Sequence, residues 1–142
     1  KQEKEKTKEN KKLFTQKIKK KKNYLLKKDF MTFKNKKTFF AMTAHIIFNK
    51  IDSLNTVTHS KKIIRLIRKQ IRFKNILISD DLSMKSLKGG LKQNTIKTFK
   101  AGCNIALHCN GNYKEMEIVG KNSPLVNKFI VKKTSQFYKI LR

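Results

Sequence analysis

The chain has 142 residues, 38% of them hydrophobic, and a formal net charge of +27, which allows one domain with a modest core. No apolar run approaches the roughly 20 residues that span a bilayer, and the start of the sequence lacks the apolar segment of a signal peptide, so we expect a cytoplasmic protein without a membrane partner. Cys103 and Cys109 are too few for a disulfide framework or a zinc knuckle. We expect two buried free thiols, and the sequence gives no sign of a metal or an organic cofactor.

The positive charge has two interpretations. Only four of the 36 basic residues are Arg, whereas proteins that read phosphates and bases favour the guanidinium fork of Arg. Lys is spread over the whole chain, as drift toward A/T-rich codons would produce. A non-enzymatic basic protein that binds nucleic acid or anionic surfaces stays open as an alternative.

The first elements follow from low complexity and apolar spacing. Residues 1–23 are Lys-rich and poor in apolar groups, which predicts a tail or a frayed helix in front of a domain at 24–142. Residues 24–34 show helical spacing, with Leu25, Leu26, Phe30 and Phe33 on one face. Residues 38–44 have the length and apolar character of a strand. An irregular loop at 45–59 should follow, ordered in part by Asp52.

The second half of the chain alternates between helices and strands. Ser60 is the expected N-cap of a helix whose apolar stripe is Ile63, Ile64, Ile67 and Ile71. A buried strand at 75–79 leads to an acidic loop from Asp80, and a Gly89-Gly90 turn leads to a helix at 91–101. A strand at 103–108, a helix at 113–119 and a last helix ending near 141 complete the pattern.

Strands that alternate with helices of this length indicate an α/β fold with a parallel sheet. Reactive residues of such folds gather at the carboxyl ends of the strands. Three polar clusters fall at these ends, at residues 43–45, 79–81 and 108–110. We therefore expect the three clusters to lie at one edge of the sheet.

Asp80 and Asp81 are the most informative of these residues, because an apolar strand delivers two adjacent carboxylates without a cation nearby in sequence. A carboxylate at this place can attack an anomeric carbon, bind a divalent cation or cap the following turn. Spacing alone leaves these roles open. Asp81 is expected to shape the loop, Met84 to pack, and Gly89-Gly90 to form a turn rather than a phosphate cradle.

An ordered run of residues resembles the active-site signature of glycoside hydrolase family 3. The run comprises Leu66-Ile67, Arg68, Gln70, Ile76-Leu77-Ile78, Ser79, Asp80 and Ser83. Asn75 stands where the family has Gly, which predicts strain at the entry to the strand. Within the family, the segment SDDLSM at 79–84, with residues 41–47, 101–103 and 109–110, is similar to bacterial β-N-acetylglucosaminidases of peptidoglycan recycling. The resemblance covers roughly residues 25–128.

The resemblance implies a site and a fold. Asp80 would be the nucleophile of a retaining enzyme that removes terminal non-reducing β-linked N-acetylglucosamine from muropeptide fragments. His45 would lie beside the sugar as a substrate-binding residue, whereas His108 is expected to be structural and His59 to help begin a helix. The chain would form the C-terminal part, about three βα units, of a TIM (β/α)8 barrel.

One part of the expected machinery does not occur in this sequence. The general acid/base is implied to be a His on a loop after a Lys-His-Phe-Pro-Gly-His-Gly motif, which this sequence lacks. We therefore expect a truncated or split enzyme that is nearly inert alone and is completed by a separately encoded N-terminal half-barrel. A decayed, inactive fragment is the other expectation consistent with the resemblance.

Overall fold

Short parallel strands and helices alternate along the computed structural model, which describes residues 15–142 and confirms the predicted α/β class. The elements are β1 (Lys17–Ile18), α1 (Lys22–Tyr24), a π-helical segment (Leu25–Asp29), a first 3-10 turn (Phe30–Phe33), β2 (Phe40–Met42), β3 (Ile47–Phe48), a second 3-10 turn (Val57–His59), α2 (Lys61–Lys69), β4 (Ile76–Asp81), α3 (Leu91–Ala101), β5 (Ile105–Leu107), α4 (Tyr113–Lys121) and α5 (Lys128–Tyr138). None of the helices within residues 15–142 is long and apolar enough to cross a membrane.

A parallel sheet of three strands, in the order β2-β4-β5, forms the centre of the fold. Its side chains alternate between two sides. Leu77 and Ala41 pack into the core with the helices, on what we call the helix side. Phe40, Met42 and Ile78 project to the opposite side, where Met42 is 63% exposed, and we call this the open side.

The amino end of the open side is covered by α5. The ring of Phe137 contacts that of Phe40, with centroids 5.0 Å apart, and Ile76 is fully buried there. Further along, Ile78, Ile105 and Leu107 are only partly buried. The open side therefore loses its cover toward the carboxyl ends of the strands.

The helix side carries one continuous apolar core. Its buried members are Leu25, Phe30, Phe48, Val57, Ile63, Ile64, Leu66, Ile71, Phe73, Leu77, Ala101 and Cys103. Helix α2 begins as predicted, with the Ser60 hydroxyl accepting from the backbone N–H of Ile63 at 3.2 Å. The predicted stripe is confirmed, since Ile63, Ile64 and Ile71 are buried and Ile67 packs against them.

The structure differs from the predicted tail at residues 15–23. Lys17–Ile18 forms a parallel pair with Ile47–Phe48, and Ile18 packs against the core. The predicted irregular loop at 45–59 therefore contains a strand, β3, and it also contains the second 3-10 turn. A partner strand so far along the chain leaves no local sequence signal. The part of the predicted tail at residues 1–14 lies outside the described residues.

The predicted helix at 24–34 is helical but irregular. Leu25 and Phe30 are buried as expected, whereas Phe33 is 64% exposed. The π-helical segment explains the difference, because its wider turn shifts the following residues around the helix axis. The prediction that Phe33 belongs to the apolar face is therefore wrong.

Strand β4 departs from its prediction at both ends. It extends through Asp81, so the two carboxylates end the strand and do not open a loop. At its entry Asn75 avoids the left-handed region, which only Asn35 and Arg72 adopt among the described non-glycine residues. The Asn75 amide instead donates to the Thr38 carbonyl at 2.8 Å. The expected strain at this position is therefore wrong.

Candidate active site

Asp80 lies at the carboxyl end of the central strand. The pairing of β4 with β5 is irregular between Ile78 and Asp81, so Asp80 lies in a distorted part of the strand. Its Oδ1 accepts a hydrogen bond from the backbone N–H of Asp81 at 2.9 Å. Among the described residues no other group donates to this carboxylate and no cation pairs with it. One oxygen is thus held while the other is available for reaction.

Asp81 is fully engaged in holding the loops around it. Its Oδ1 accepts from the backbone N–H groups of Ser83 at 3.0 Å and Cys109 at 3.2 Å, and its Oδ2 accepts from the Ser83 hydroxyl at 2.7 Å. Burial by itself raises the pKa of Asp81, but these hydrogen bonds and the nearby His108 lower it below its ordinary value. The prediction that Asp81 shapes the loop is confirmed.

The three polar clusters meet at one edge of the sheet, as predicted, and Asp81 is their common point. The first cluster reaches it through His45, whose Nε2 lies 2.7 Å from the Asp81 carbonyl oxygen. The third cluster reaches it through the backbone N–H of Cys109. The backbone beside Asp80 is therefore held from both neighbouring strand ends.

His45 is buried, and both of its ring nitrogens are engaged. Because a carbonyl oxygen only accepts, Nε2 donates to Asp81, and Nδ1 lies within hydrogen-bond distance of the Thr58 hydroxyl, at 2.9 Å. The Thr43 hydroxyl lies 2.9 Å from that of Thr58 and extends the chain of hydrogen bonds. This geometry does not favour the predicted contact between His45 and a sugar, because no ring nitrogen is left to make it.

His108 connects the third strand end to α4. Its Nε2 lies 2.7 Å from Glu115 Oε2, and its side chain is 5% exposed. Hydrogen bonds from His108 and then Asn110 lower the pKa of Glu115. Asn112 caps the same helix by accepting from the Glu115 N–H. The contacts agree with the structural role expected of His108.

The basic residue of the signature, Arg68, stabilises the amino end of the sheet and lies away from Asp80. Its Nη1 donates to the carbonyls of Phe73 at 3.0 Å and Asn75 at 2.7 Å, and its Nη2 donates to Asn104 Oδ1 at 2.6 Å. The same Asn104 oxygen accepts from the Leu77 N–H at 2.9 Å. Sequence reasoning found Arg68 but missed Asn104, which carries no local signal.

The loop after His45 is ordered by Asp52, as predicted. Its carboxylate accepts from the backbone N–H groups of Leu54 and Asn55, each at 3.2 Å, and from the Ser60 hydroxyl at 2.7 Å. His59 ends the 3-10 turn directly before α2, where it was expected to help begin that helix. These contacts keep the loop close to the sheet edge.

Several smaller expectations have mixed outcomes. Cys103 is buried, and burial raises the pKa of its thiol to about 12, but Cys109 is exposed, which contradicts the expected burial. Met84 is 44% exposed and does not pack as predicted. Gly89-Gly90 forms the expected turn, with Gly89 at a positive φ and Gly90 as the N-cap of α3. Over residues 15–142 no group of three potential metal ligands comes together.

The profile of the glycosyl hydrolase family 3 N-terminal domain matches residues 7–134. The chain belongs to glycosyl hydrolase family 3. A β-hexosaminidase of Neisseria meningitidis serogroup C is 35% identical over 71 residues, which cover 49% of this chain and 20% of that relative. The chain therefore spans about a fifth of the length of the curated relatives that it matches.

Solved structures show the same likeness. The β-N-acetylglucosaminidase of Thermotoga maritima is 26% identical with a TM-score of 0.66, and the match covers 75% of this chain and 25% of that one. The NagZ structure from Neisseria gonorrhoeae has a TM-score of 0.71 at 23% identity and covers 85% of this chain and 35% of that one, which is a likeness of fold.

Proposed function

We propose that this chain carries the nucleophile of a retaining β-N-acetylglucosaminidase that removes terminal non-reducing β-linked N-acetylglucosamine from peptidoglycan fragments. Family membership and the names of the β-hexosaminidase and β-N-acetylglucosaminidase relatives support the reaction class. The observation that carries the proposal is the hydrogen bonding of the Asp80 carboxylate. One of its oxygens is fixed by the Asp81 N–H, and the other has no partner among the described residues.

The proposed chemistry has two steps. The available Asp80 oxygen attacks the anomeric carbon, the bond to the leaving oxygen breaks, and a general acid protonates that oxygen. Water then attacks the anomeric carbon and gives a proton to the same group, which releases the sugar with its configuration retained and restores the Asp80 carboxylate. Asp81 cannot replace Asp80, because its oxygens are engaged by Ser83 and Cys109.

The general acid/base has to come from outside the residues described. We propose that the chain is the C-terminal part of a (β/α)8 barrel, a fold of about 250 residues, and that an N-terminal half-barrel carrying the acid/base His completes it. Two observations support this partner. Strands β2 and β5 each have only one neighbour within the described part of the chain, and the open side exposes Met42. Unpaired edges and uncovered apolar faces favour assembly.

Replacement of Asp80 by Asn tests the nucleophile. With a chromogenic β-N-acetylglucosaminide and an upstream half that carries the His loop, Asp80→Asn should lower kcat by on the order of 10⁴, since the amide is a far poorer nucleophile. The matched control is Asp29→Asn, which removes a surface carboxylate paired with Lys20. Hydrolysis that survives Asp80→Asn and salt-sensitive binding of DNA without hydrolysis would each contradict the proposal.

His45 is proposed to position the nucleophile through the Asp81 carbonyl instead of contacting the sugar. His45→Phe removes both ring hydrogen bonds and should lower kcat on the order of tenfold with KM unchanged. His45→Gln keeps an N–H donor and should recover part of kcat. A rise in KM with unchanged kcat would instead support the contact with substrate that the resemblance implies.

Size measurements test the proposed half-barrel partner. Because the open side is uncovered, the purified chain should self-associate, and the upstream half should convert it to a one-to-one complex with a sharp thermal transition. A folded monomer with a sharp thermal transition in the absence of the partner would refute this part of the proposal.

A further inference from the structure

A cavity of about 500 Å³ lies apart from Asp80, between β1, the second 3-10 turn and the segment that leads into α3. This volume is in the range of small-molecule sites, about 300 to 1,000 Å³. Three lysines from different parts of the chain line it: Lys17, Lys88 and Lys97. We call this space the basic cavity.

Within residues 15–142 no acidic residue balances the lysines of the basic cavity. The described part of its lining includes no Asp or Glu, and the ion pairs of residues 15–142 involve Lys20, Lys121 and His108 instead. Like charges that converge on one concave surface raise its positive potential and attract anions. The three lysines are exposed, so an anion that enters the cavity can reach them.

Hydrogen bonding gives a second, independent indication. Thr56 Oγ1, His59 Nε2 and Ser86 Oγ belong to lining residues, and each is buried without a hydrogen-bond partner within residues 15–142. Thr56 is only 7% exposed. An unpartnered buried polar atom costs about 1 to 3 kcal/mol. Three such atoms behind one cavity wall indicate a site whose polar groups pair with something else.

The three atoms are shielded from solvent in this conformation, but two of them are hydroxyl groups. A hydroxyl hydrogen can rotate, so the hydroxyls of Thr56 and Ser86 are able to donate to an anion that is brought next to them. Burial, reinforced by the charges of His45 and Lys97, lowers the pKa of His59 to about 4. The ring nitrogen of a neutral His is able to accept a hydrogen bond from a ligand hydroxyl.

We propose that the basic cavity binds a phosphomonoester, with its phosphate among the lysines and its organic part in the remaining space. Phosphate matches the lining chemically, because its oxygens accept from ammonium and hydroxyl groups together. The cavity is larger than a single phosphate requires, so an ester is favoured over the free ion. This binding site does not depend on the hydrolysis proposed for Asp80.

Calorimetric titration of the 142-residue chain tests the site. The ligands are glucose 6-phosphate, inorganic phosphate and glucose, at constant ionic strength set with chloride. We expect glucose 6-phosphate to bind most tightly and glucose not to bind. Equal binding of inorganic phosphate and the ester would refute the ester, and no binding above chloride would refute the site and leave water as the occupant.

Matched variants separate a specific site from diffuse attraction. Lys97→Gln should weaken glucose 6-phosphate binding roughly tenfold, as the loss of a charged hydrogen bond predicts, whereas Lys92→Gln, on the same helix but outside the lining, should change it less than twofold. Equal losses in the two variants would overturn the proposal.

Thr56→Val provides a readout that does not rely on charge. It removes an unpartnered hydroxyl at nearly constant volume, so Tm without ligand should stay the same or rise while affinity for glucose 6-phosphate falls severalfold. Unchanged affinity would exclude the hydroxyl from the site, and a lower Tm without ligand would show that it already has a partner. Either result counts against the proposal.

Discussion

The two sides of the central sheet are built from the same strands but differ in how far the chain completes them. On the helix side, Leu77 is 1% exposed and Ser79 is fully buried, with its hydroxyl accepting from the Leu107 N–H at 2.8 Å. On the open side, Ile78 is only partly buried, and at the carboxyl end of the same strand one oxygen of Asp80 has no partner within residues 15–142. Packing of this chain therefore buries one side of the sheet and leaves the other partly uncovered toward the carboxyl ends of the strands.

Two residues of the family signature, Arg68 and Asp80, also lie at opposite ends of the sheet. Arg68 belongs to the family signature but acts on the amino end of the strands, through three hydrogen bonds in the core region. Asp80 belongs to the same signature and lies at the carboxyl end. One sequence motif thus combines a group that stabilises the fold with the group proposed as the nucleophile.

Truncation of neighbouring residues on β4 gives the largest expected difference between the two sides. Leu77→Ala should lower the free energy of unfolding by about 3 kcal/mol, because it opens a cavity in a closed core. Ile78→Ala should cost less than about 1 kcal/mol in the chain alone, since part of the side chain is already in water. Urea unfolding of both variants at low protein concentration measures the difference. Equal costs would show that the open side is closed in solution.

Replacement of Arg68 by Lys tests the structural part of the signature. Lys cannot reproduce the forked contacts with Phe73, Asn75 and Asn104, so the free energy of unfolding should fall by about 2 kcal/mol. Arg65→Lys, on the exposed face of the same helix, should have almost no effect. If Arg68→Lys kept full stability but lost hydrolysis in the completed enzyme, Arg68 would belong to the active site instead.

The pH dependence of the free energy of unfolding tests the environment of His59 in the second 3-10 turn. His59 has a folded-state pKa of about 4 against an ordinary value of 6.5, so the unfolded chain binds more protons between these values. Stability should therefore fall as pH is lowered from 6.5 to 4, by about 2 kcal/mol after allowance for partial solvent screening. The measurement is the urea midpoint at intervals from pH 7 to pH 4.5.

His59→Gln is the control for this prediction, because it removes the titrating group and should flatten the profile above pH 4.5. The lowered pKa values of Asp52 and Asp81 affect stability in a lower pH range, because the stability that these carboxylates contribute is lost only as pH falls below about 4. A profile that is equally steep in the variant would assign the dependence to other groups.

Periodicity and capping chemistry predicted most of the second half of the chain. Helix α3 has the predicted bounds, Ser60 caps α2, and the strands at β2, β4 and β5 occur where apolar runs were found. These features depend on neighbours a few residues apart, which the sequence shows directly. The pairing of β1 with β3 and the π-helical segment depend on distant packing, and local patterns missed both.

The sequence by itself determined the α/β class, the family signature and the choice of Asp80 among nine acidic residues. Only the tertiary structure decided which signature residues touch one another. It engaged both nitrogens of His45 and brought the Cys109 N–H to Asp81 Oδ1, and within residues 15–142 it left one oxygen of Asp80 without a partner. The physical reason is that hydrogen-bond partners 13 to 36 residues apart are fixed by how the strands and loops pack, and local sequence does not encode that distance.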